Sequence, residues 1–166
     1  MASAVGDASV LINLAGLGQL DLLPAFFERV LVPEAVWREV VTQGRSPAAV
    51  EAVEAAARQG WLARQSSANA PLIQHLRQNL RAGEAEAICL ALEARPDVLL
   101  MDETDGRAEA RSLCLRTQGV VGLLLRAKQA GHLTAIRPLL DQLVQDHFHL
   151  HPEFVRQILQ QAGEAT

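Results

Sequence analysis

The sequence of 166 residues is poor in cysteine, tyrosine and lysine. It has two cysteines, no tyrosine, only 4% aromatic residues and no apolar run of about 18 residues. A disulfide framework and a transmembrane helix are therefore excluded, and few side chains are available for stacking on nucleic-acid bases. The N-terminal segment lacks the basic and apolar regions of a signal peptide. We expect a cytoplasmic protein without a membrane partner.

The charge balance is acidic, with a formal net charge of −4. A basic surface is the usual mark of nucleic-acid binding, and this chain lacks one overall. All of its 15 basic residues except Lys128 are arginine, which is the better bidentate partner of phosphate. Divalent cations bound to some of the acids would also offset the negative charge. The net charge therefore does not exclude a nucleic-acid substrate.

Short apolar segments alternate with helical patterns along the chain. Residues 3–6 and 98–101 are predicted strands, and the second is a continuous apolar run typical of a central parallel strand. The alternation predicts an α/β fold with a short, mostly parallel central sheet flanked by many helices. We expect one domain over residues 1–131 and a helical extension over residues 132–166 packed on it. Residues 147–151 are expected to be extended.

Acidic residues recur where predicted strands end and helices begin. Asp7 follows the first strand and Asp102 follows the strongest one, while Glu84 opens the helix before that strand. Glu39 lies near the edge of the buried face of a helix. Because parallel strands share one carboxyl edge, we expect these carboxylates to converge there. Their mutual repulsion would be relieved by a hard divalent cation, Mg²⁺ or Mn²⁺, and paired ions of this kind support phosphodiester cleavage.

Each acid also has an ordinary structural explanation. Asp7 can cap the following helix, and Asp102 and Asp105 can be favourable first-turn acids. Glu84 and Glu39 can be solvated helix residues. Taken singly, these explanations are the more common ones. For the whole set of acids these explanations are less convincing, because helix-capping residues need not share one edge of a sheet.

The ordered motifs resemble those of the PIN-domain superfamily. The segment VGDASVLINLAGLGQLDLL is similar to its first motif and VPEAVWREV to its second. The stretch GEAEAICLALEARPDVLLMDETDGR is similar to the third and fourth motifs, with 18 residues from Glu84 to Asp102. Together with QGVVGLLLRAK, the pattern resembles a prokaryotic PIN-like subgroup catalogued as a domain of unknown function, related to VapC-type toxins.

This resemblance implies a three-layer α/β/α fold and a metal-dependent ribonuclease that cleaves single-stranded RNA, often the toxin of a toxin–antitoxin pair. Asp7 and Asp102 would be the central metal ligands, with Glu84 as a further ligand and Glu39 completing the site. Ser9 would orient Asp7 through a hydroxyl hydrogen bond. A cognate antitoxin and a homodimer are the protein partners that follow.

The sequence departs from the superfamily pattern at several positions. Glu84 stands where most PIN nucleases have aspartate, and Glu86 competes with it for the same role. Asp105 is an additional candidate beside Asp102. Leu100 and Val120 stand where threonine is usual. These departures motivate an alternative function, a catalytically weak PIN-like protein that binds nucleic acid or a partner protein and regulates it.

Basic residues near the predicted edge are candidates for contacts with the nucleic acid. Arg107 and Arg111 share one face of the helix after Asp102, and Lys128 follows a glycine-bounded turn. A phosphoaspartate receiver or phosphatase-like α/β domain is a third class that carries aspartates at strand ends. Such domains place a lysine after a late strand, whereas Lys128 lies within a helical pattern, which disfavours that class.

Overall fold

The computed structural model describes residues 2–164, and its centre is a parallel sheet. The five strands are ordered β3-β2-β1-β4-β5, and every neighbouring pair is parallel. The strands are β1 (Ala2–Gly6), β2 (Phe27–Val32), β3 (Leu62–Arg64), β4 (Val98–Leu100) and β5 (Thr117–Gln118). The chain moves outward from β1 to β3 and then returns to the other side of β1. The strand order therefore reverses between β1 and β4, where open parallel sheets form ligand sites.

Helices connect the strands and continue after the last one. They are α1 (Ala8–Gly16), α2 (Leu22–Phe26), α3 (Glu34–Trp37), α4 (Pro47–Gln59), α5 (Ala70–Leu76), α6 (Ala82–Ala94), α7 (Thr104–Ser112), α8 (Val120–Gln129), α9 (Arg137–Gln145) and α10 (Pro152–Gln161). A π-helical turn, Arg38–Thr42, continues α3. The predicted α/β/α class is confirmed, and the sheet is wholly parallel.

Apolar packing fixes the two elements that carry predicted site residues. Helix α6 packs against β1, β4, α3, α5 and α7. Its side chains Ile88 and Leu90 are completely buried, as is Met101 beside them, and Leu99 is almost so. Burial of side chains of this size stabilises the fold by about 1.5–3 kcal/mol each. The start of α6 and the end of β4 are therefore held firmly at the same edge of the sheet.

Several predicted boundaries need correction. Strand β5 was not predicted, because Thr117 and Gln118 are only partly buried and form no apolar run. The helix expected around Glu39 is divided into α3 and the π-helical turn, and Glu39 lies in the turn. Residues 147–151 are not a uniformly extended segment, since His147 has a left-handed φ of 68°. His151 instead caps α10, where its Nδ1 accepts a hydrogen bond from the backbone N–H of Glu153 at 3.2 Å.

The described residues form two compact units, one ending at Gly119 and the other starting at Val120. The second unit contains α8–α10 and is tied together by Glu164, whose carboxylate accepts hydrogen bonds from the backbone N–H groups of Ile136 and Arg137. The assignment of residues 1–131 and 132–166 to a domain and its extension stays a prediction, and its residues 1, 165 and 166 lie outside the described part. Between residues 2 and 164, no helix combines the length and the apolar character needed to cross a bilayer.

Candidate active site

Adjacent strands bring Asp7 and Asp102 to the same edge of the sheet. Gly6 pairs with Leu100 in the parallel register of β1 and β4, and the backbone N–H of Asp7 donates to the carbonyl of Leu100 at 2.9 Å. Asp7 is thus the first residue beyond β1, and Asp102 is the second beyond β4. The prediction that both lie at one carboxyl edge is confirmed.

Asp7 is a buried carboxylic acid at this edge, with only 3% of its surface exposed. Burial is the main reason that its pKa is raised to about 7, and the negative charges of Glu84, Glu39 and Glu103 raise it further. A hydrogen bond from the backbone N–H of Ala8 acts in the opposite direction. Asp7 occupies the N-cap position of α1, yet its side chain makes no helix-capping hydrogen bond. A capping role therefore does not explain this aspartate.

Glu84 is the second buried acid, with 8% of its surface exposed. It lies in the first turn of α6, and its Oε2 accepts a hydrogen bond from the backbone N–H of Arg81 at 3.0 Å. Burial raises the pKa of Glu84, as do the charges of Glu103 and Glu39, whereas the bond to Arg81 lowers it. The side chain is thus partly fixed by the helix start and still shares the electrostatic environment of Asp7.

Glu39 reaches this environment from the exposed π-helical turn. The point that a Cβ of residue 83 would occupy lies 3.3 Å from Oε2 of Glu39 and 3.5 Å from Oδ1 of Asp7. Gly83 therefore lets two carboxylates from different elements approach a common space. An alanine there would sit in ordinary to tight contact with both oxygens and narrow that space.

Asp102 is half-buried and is held by a residue that was not predicted. Nδ2 of Asn13, on α1, donates a hydrogen bond to its Oδ2 at 3.3 Å. Its other oxygen, Oδ1, lies only 2.5 Å from the point that a Cβ of residue 119 would occupy, and Nη1 of Arg107 lies 2.8 Å from the same point. The close approach of both side chains therefore requires glycine at position 119.

Substituting Gly119 by alanine is expected to displace the carboxylate of Asp102 and to lower the rate of a reaction that depends on this carboxylate by about 100-fold, since a misplacement of about 1 Å can have that effect. Gly16→Ala is the matched control, because a Cβ at Gly16 meets nothing within 4 Å. Initial rates of that reaction and circular dichroism of both variants check this. Equal rates for the two folded variants would contradict the role of Gly119.

The acidic side chains around Asp7 suit an open site for a divalent cation and not a closed one. Within residues 2–164, no three His, Cys, Asp or Glu side chains form a preassembled metal-binding group. The acids around Asp7 are all oxygen donors, which hard cations prefer. Mg²⁺ keeps several of its waters and needs only one or two carboxylates from the protein. The buried Asp7, with other carboxylates beside it, fits such a water-rich site; it does not fit a closed cage.

The negative charges of Glu39 and Glu103 raise the pKa of both Asp7 and Glu84, so these four acids share one electrostatic environment. Glu103 was not among the predicted site residues. Glu103 follows Asp102 directly, so the run of acids after β4 was the available signal. The charge of Glu86 helps to raise the pKa of the Cys89 thiol. Glu86 is not among the groups that raise the pKa of Asp7 or of Glu84. Asp105 is exposed and lines a cleft beside Glu84.

The predicted hydrogen bond from Ser9 to Asp7 is wrong. Oγ of Ser9 is buried and has no hydrogen-bond partner in the described part of the chain. Ser9 lies one residue into α1, where the helix fixes its direction, and the spacing of two from Asp7 did not predict that direction. The Ser9 hydroxyl is therefore a buried polar group that does not orient Asp7.

The predicted basic residues are placed differently from one another. Arg107 lies beside Asp102, as the distances to Gly119 show. Arg111 is exposed in the last turn of α7, about 6 Å further along that helix. Nζ of Lys128 contacts the carbonyl of Thr134 and lies 3.5 Å from Glu164, so this ammonium group is engaged within the C-terminal unit.

The fold and this edge define a class: a parallel α/β domain with a buried aspartate among other carboxylates at the point where the strand order reverses. A family model described as a PIN domain matches residues 3–164. The chain belongs to the PIN-domain family, which confirms the resemblance found in the sequence. PIN domains have a nuclease-like fold and generally use divalent metal ions. A search of curated proteins found no match.

Proposed function

We propose that this protein is a divalent-metal-dependent endoribonuclease that cleaves single-stranded RNA. The observation that carries the proposal is the buried carboxyl of Asp7, which has the charges of Glu84, Glu39 and Glu103 around it. A buried acid that is surrounded by other acids is costly when ionised, and a bound cation removes that cost. Membership of the PIN-domain family supports the same chemistry.

Asp7 and Asp102 would hold the cation, and Glu84 and Glu39 would complete its surroundings through direct or water-mediated contacts. When bound, a divalent cation supplies an activated water and stabilises the oxygen that leaves phosphorus. Asn13 fixes the direction of the Asp102 carboxylate, and the backbone of Arg81 fixes that of Glu84. Arg107, beside Asp102, can bind a phosphate oxygen of the substrate.

The test is cleavage of a labelled single-stranded RNA by purified protein with Mg²⁺, with Mn²⁺ and with EDTA. We expect cleavage with a divalent cation and none with EDTA, and a loss of roughly 100-fold or more in Asp102→Asn. Asp21→Asn is the matched control, since Asp21 is exposed and makes no capping bond. Cleavage that persists in EDTA, or is equal in the two variants, would sink the proposal.

The role of a toxin, with an antitoxin as partner, follows if the activity is that of a VapC-type ribonuclease. A cell that makes such an enzyme needs a protein that neutralises it. Growth arrest on expression of the wild type, but not of Asp102→Asn, would support a toxin. We also propose that the protein forms a homodimer. The mass of the purified protein from sedimentation tests this.

The alternative function is RNA or protein binding without turnover. The observation that favours it is the lack of three preassembled metal-ligating side chains in the described residues. It predicts RNA binding with no cleavage at any concentration of Mg²⁺ or Mn²⁺. Metal-dependent turnover by the pure protein would remove it.

A further inference from the structure

The loop between α5 and α6, residues 77–81, borders three adjoining clefts of the N-terminal unit. A cleft of about 420 Å³ lies between Arg81 and Glu39, and a second of about 480 Å³ lies between Arg81 and Glu103. A third, also about 480 Å³, extends to His75. The first and second share Arg81, and the second and third share Asn79. The three clefts adjoin at these shared residues, and we call this row of clefts, which borders Glu39, Glu84 and Glu103, the groove.

The loop supplies positive charge to a groove whose lining includes several acids and one further cation, Arg45. Arg77 and Arg81 are exposed, and neither guanidinium forms a salt bridge with another described residue. The charge of Arg81 acts on Glu84, which places its guanidinium near the acidic site. Because acids such as Glu39 and Asp105 repel phosphate, a nucleic-acid strand in this groove needs cations to hold its backbone, and the loop provides two of them.

The loop also offers groups that can contact sugars and bases. Gln78 and Asn79 lie between the two arginines, and both are exposed and line the second cleft. Their amides can donate and accept hydrogen bonds. A loop with a cation at each end and amides between them suits an extended, unpaired strand, whose bases are accessible.

We propose that the RNA strand lies along the α5–α6 loop, with Arg81 on a phosphate next to the acidic site and Arg77 on a phosphate further along the strand. This inference rests on the proposed function, since RNA is the substrate that it assumes. It makes Arg77 and Arg81 substrate-positioning residues in addition to Arg107.

The experiment measures equilibrium binding of a fluorescent single-stranded RNA in EDTA, where no cleavage is expected, at about 50–200 mM salt. Arg77→Gln and Arg81→Gln should each weaken binding roughly tenfold and reduce the slope of log Kd against log salt by about 0.7. The double variant should lose about 1.4 from the slope. Arg29→Gln is the matched control, because Arg29 is exposed and pairs with Ser3, in the first half of β1 and away from its carboxyl end.

Kinetics with the metal present give a second readout. We expect the two loop variants to raise KM roughly tenfold while kcat changes less than about twofold, since binding and not chemistry is affected. Unchanged affinity and salt slope, or failure of the wild type to bind RNA at about 50 mM salt, would overturn the inference. Loop-dependent binding without cleavage at any metal concentration would support it and overturn the nuclease proposal. Cleavage by the wild type with both loop variants equal to Arg29→Gln would do the reverse.

Discussion

Asp7→Asn is expected to lower metal-dependent cleavage of RNA by roughly 1000-fold and to leave the protein folded. The amide has nearly the shape of the carboxyl group but carries no charge, so it cannot neutralise a cation. Electrostatic stabilisation through a bound metal contributes several kcal/mol to a transition state, and about 4 kcal/mol corresponds to this factor. Asp7 is the most deeply buried acid of the site, so neither water nor a nearby side chain can easily take its place.

The measurement is the initial rate of RNA cleavage in saturating Mn²⁺ or Mg²⁺, with Asp21→Asn as the control for the loss of one exposed acid. Circular dichroism shows whether each variant is folded. A folded Asp7→Asn protein that cleaves within tenfold of the wild type would refute the assignment of Asp7. A rate restored by metal above the concentration that saturates the wild type would show that the substitution weakens binding of the ion.

The second large effect is that of Asp7 ionisation on the free energy of unfolding of the metal-free protein. The pKa of Asp7 is raised to about 7 in the folded protein, from 3.8 for an unperturbed aspartate, mainly because it is buried. Between these two values the folded state holds a proton that the unfolded state has lost. The free energy of unfolding therefore falls as the pH rises from about 4 to about 7, and the full cost, up to about 4 kcal/mol, is present above pH 7.

Asp7→Asn removes this ionisation. In EDTA at pH 8 we expect the variant to be more stable than the wild type by about 2–4 kcal/mol, which raises Tm by roughly 5–15 °C. At pH 5 the difference should be much smaller, because Asp7 is then mostly protonated. Adding Mn²⁺ at pH 8 should raise Tm of the wild type and leave that of the variant nearly unchanged.

Thermal unfolding at pH 5 and pH 8, with and without metal, checks these expectations, and Asp21→Asn again serves as the control. An Asp7→Asn protein that is no more stable than the wild type at pH 8 in EDTA would show that the carboxylate is not strained there. Loss of cleavage together with gain of stability is the combination that a functional buried acid predicts, whereas a structural one would lose stability.

Much of the fold was predictable because the patterns are local. The continuous apolar run over residues 98–101 and the turn at Asp7 marked both central strands, and the observed β4 is one residue shorter than predicted. Strand β5 was missed because a two-residue strand at the edge of a sheet has no periodicity of its own. The π-helical turn was missed because its residues follow an ordinary helical pattern.

The site was only partly predictable. Asp7, Glu39, Glu84 and Asp102 were selected from their positions relative to predicted elements. Asn13, by contrast, lies on the helix after β1, and no spacing rule connects it with Asp102. The predicted hydrogen bond from Ser9 to Asp7 was wrong for a related reason. A separation of two residues at the start of a helix does not determine what a side chain contacts.

By itself the sequence determined which residues end strands, which begin helices and that the chain belongs among parallel α/β folds, because these depend on neighbours along the chain. Only the tertiary structure decided that β4 returns to the side of β1, which places Asp102 at the same carboxyl edge of the sheet as Asp7. It also decided that Glu39 and Asp7 approach the same space beside Gly83. Contacts between such distant residues depend on how helices and strands pack, and packing is a property of the whole fold.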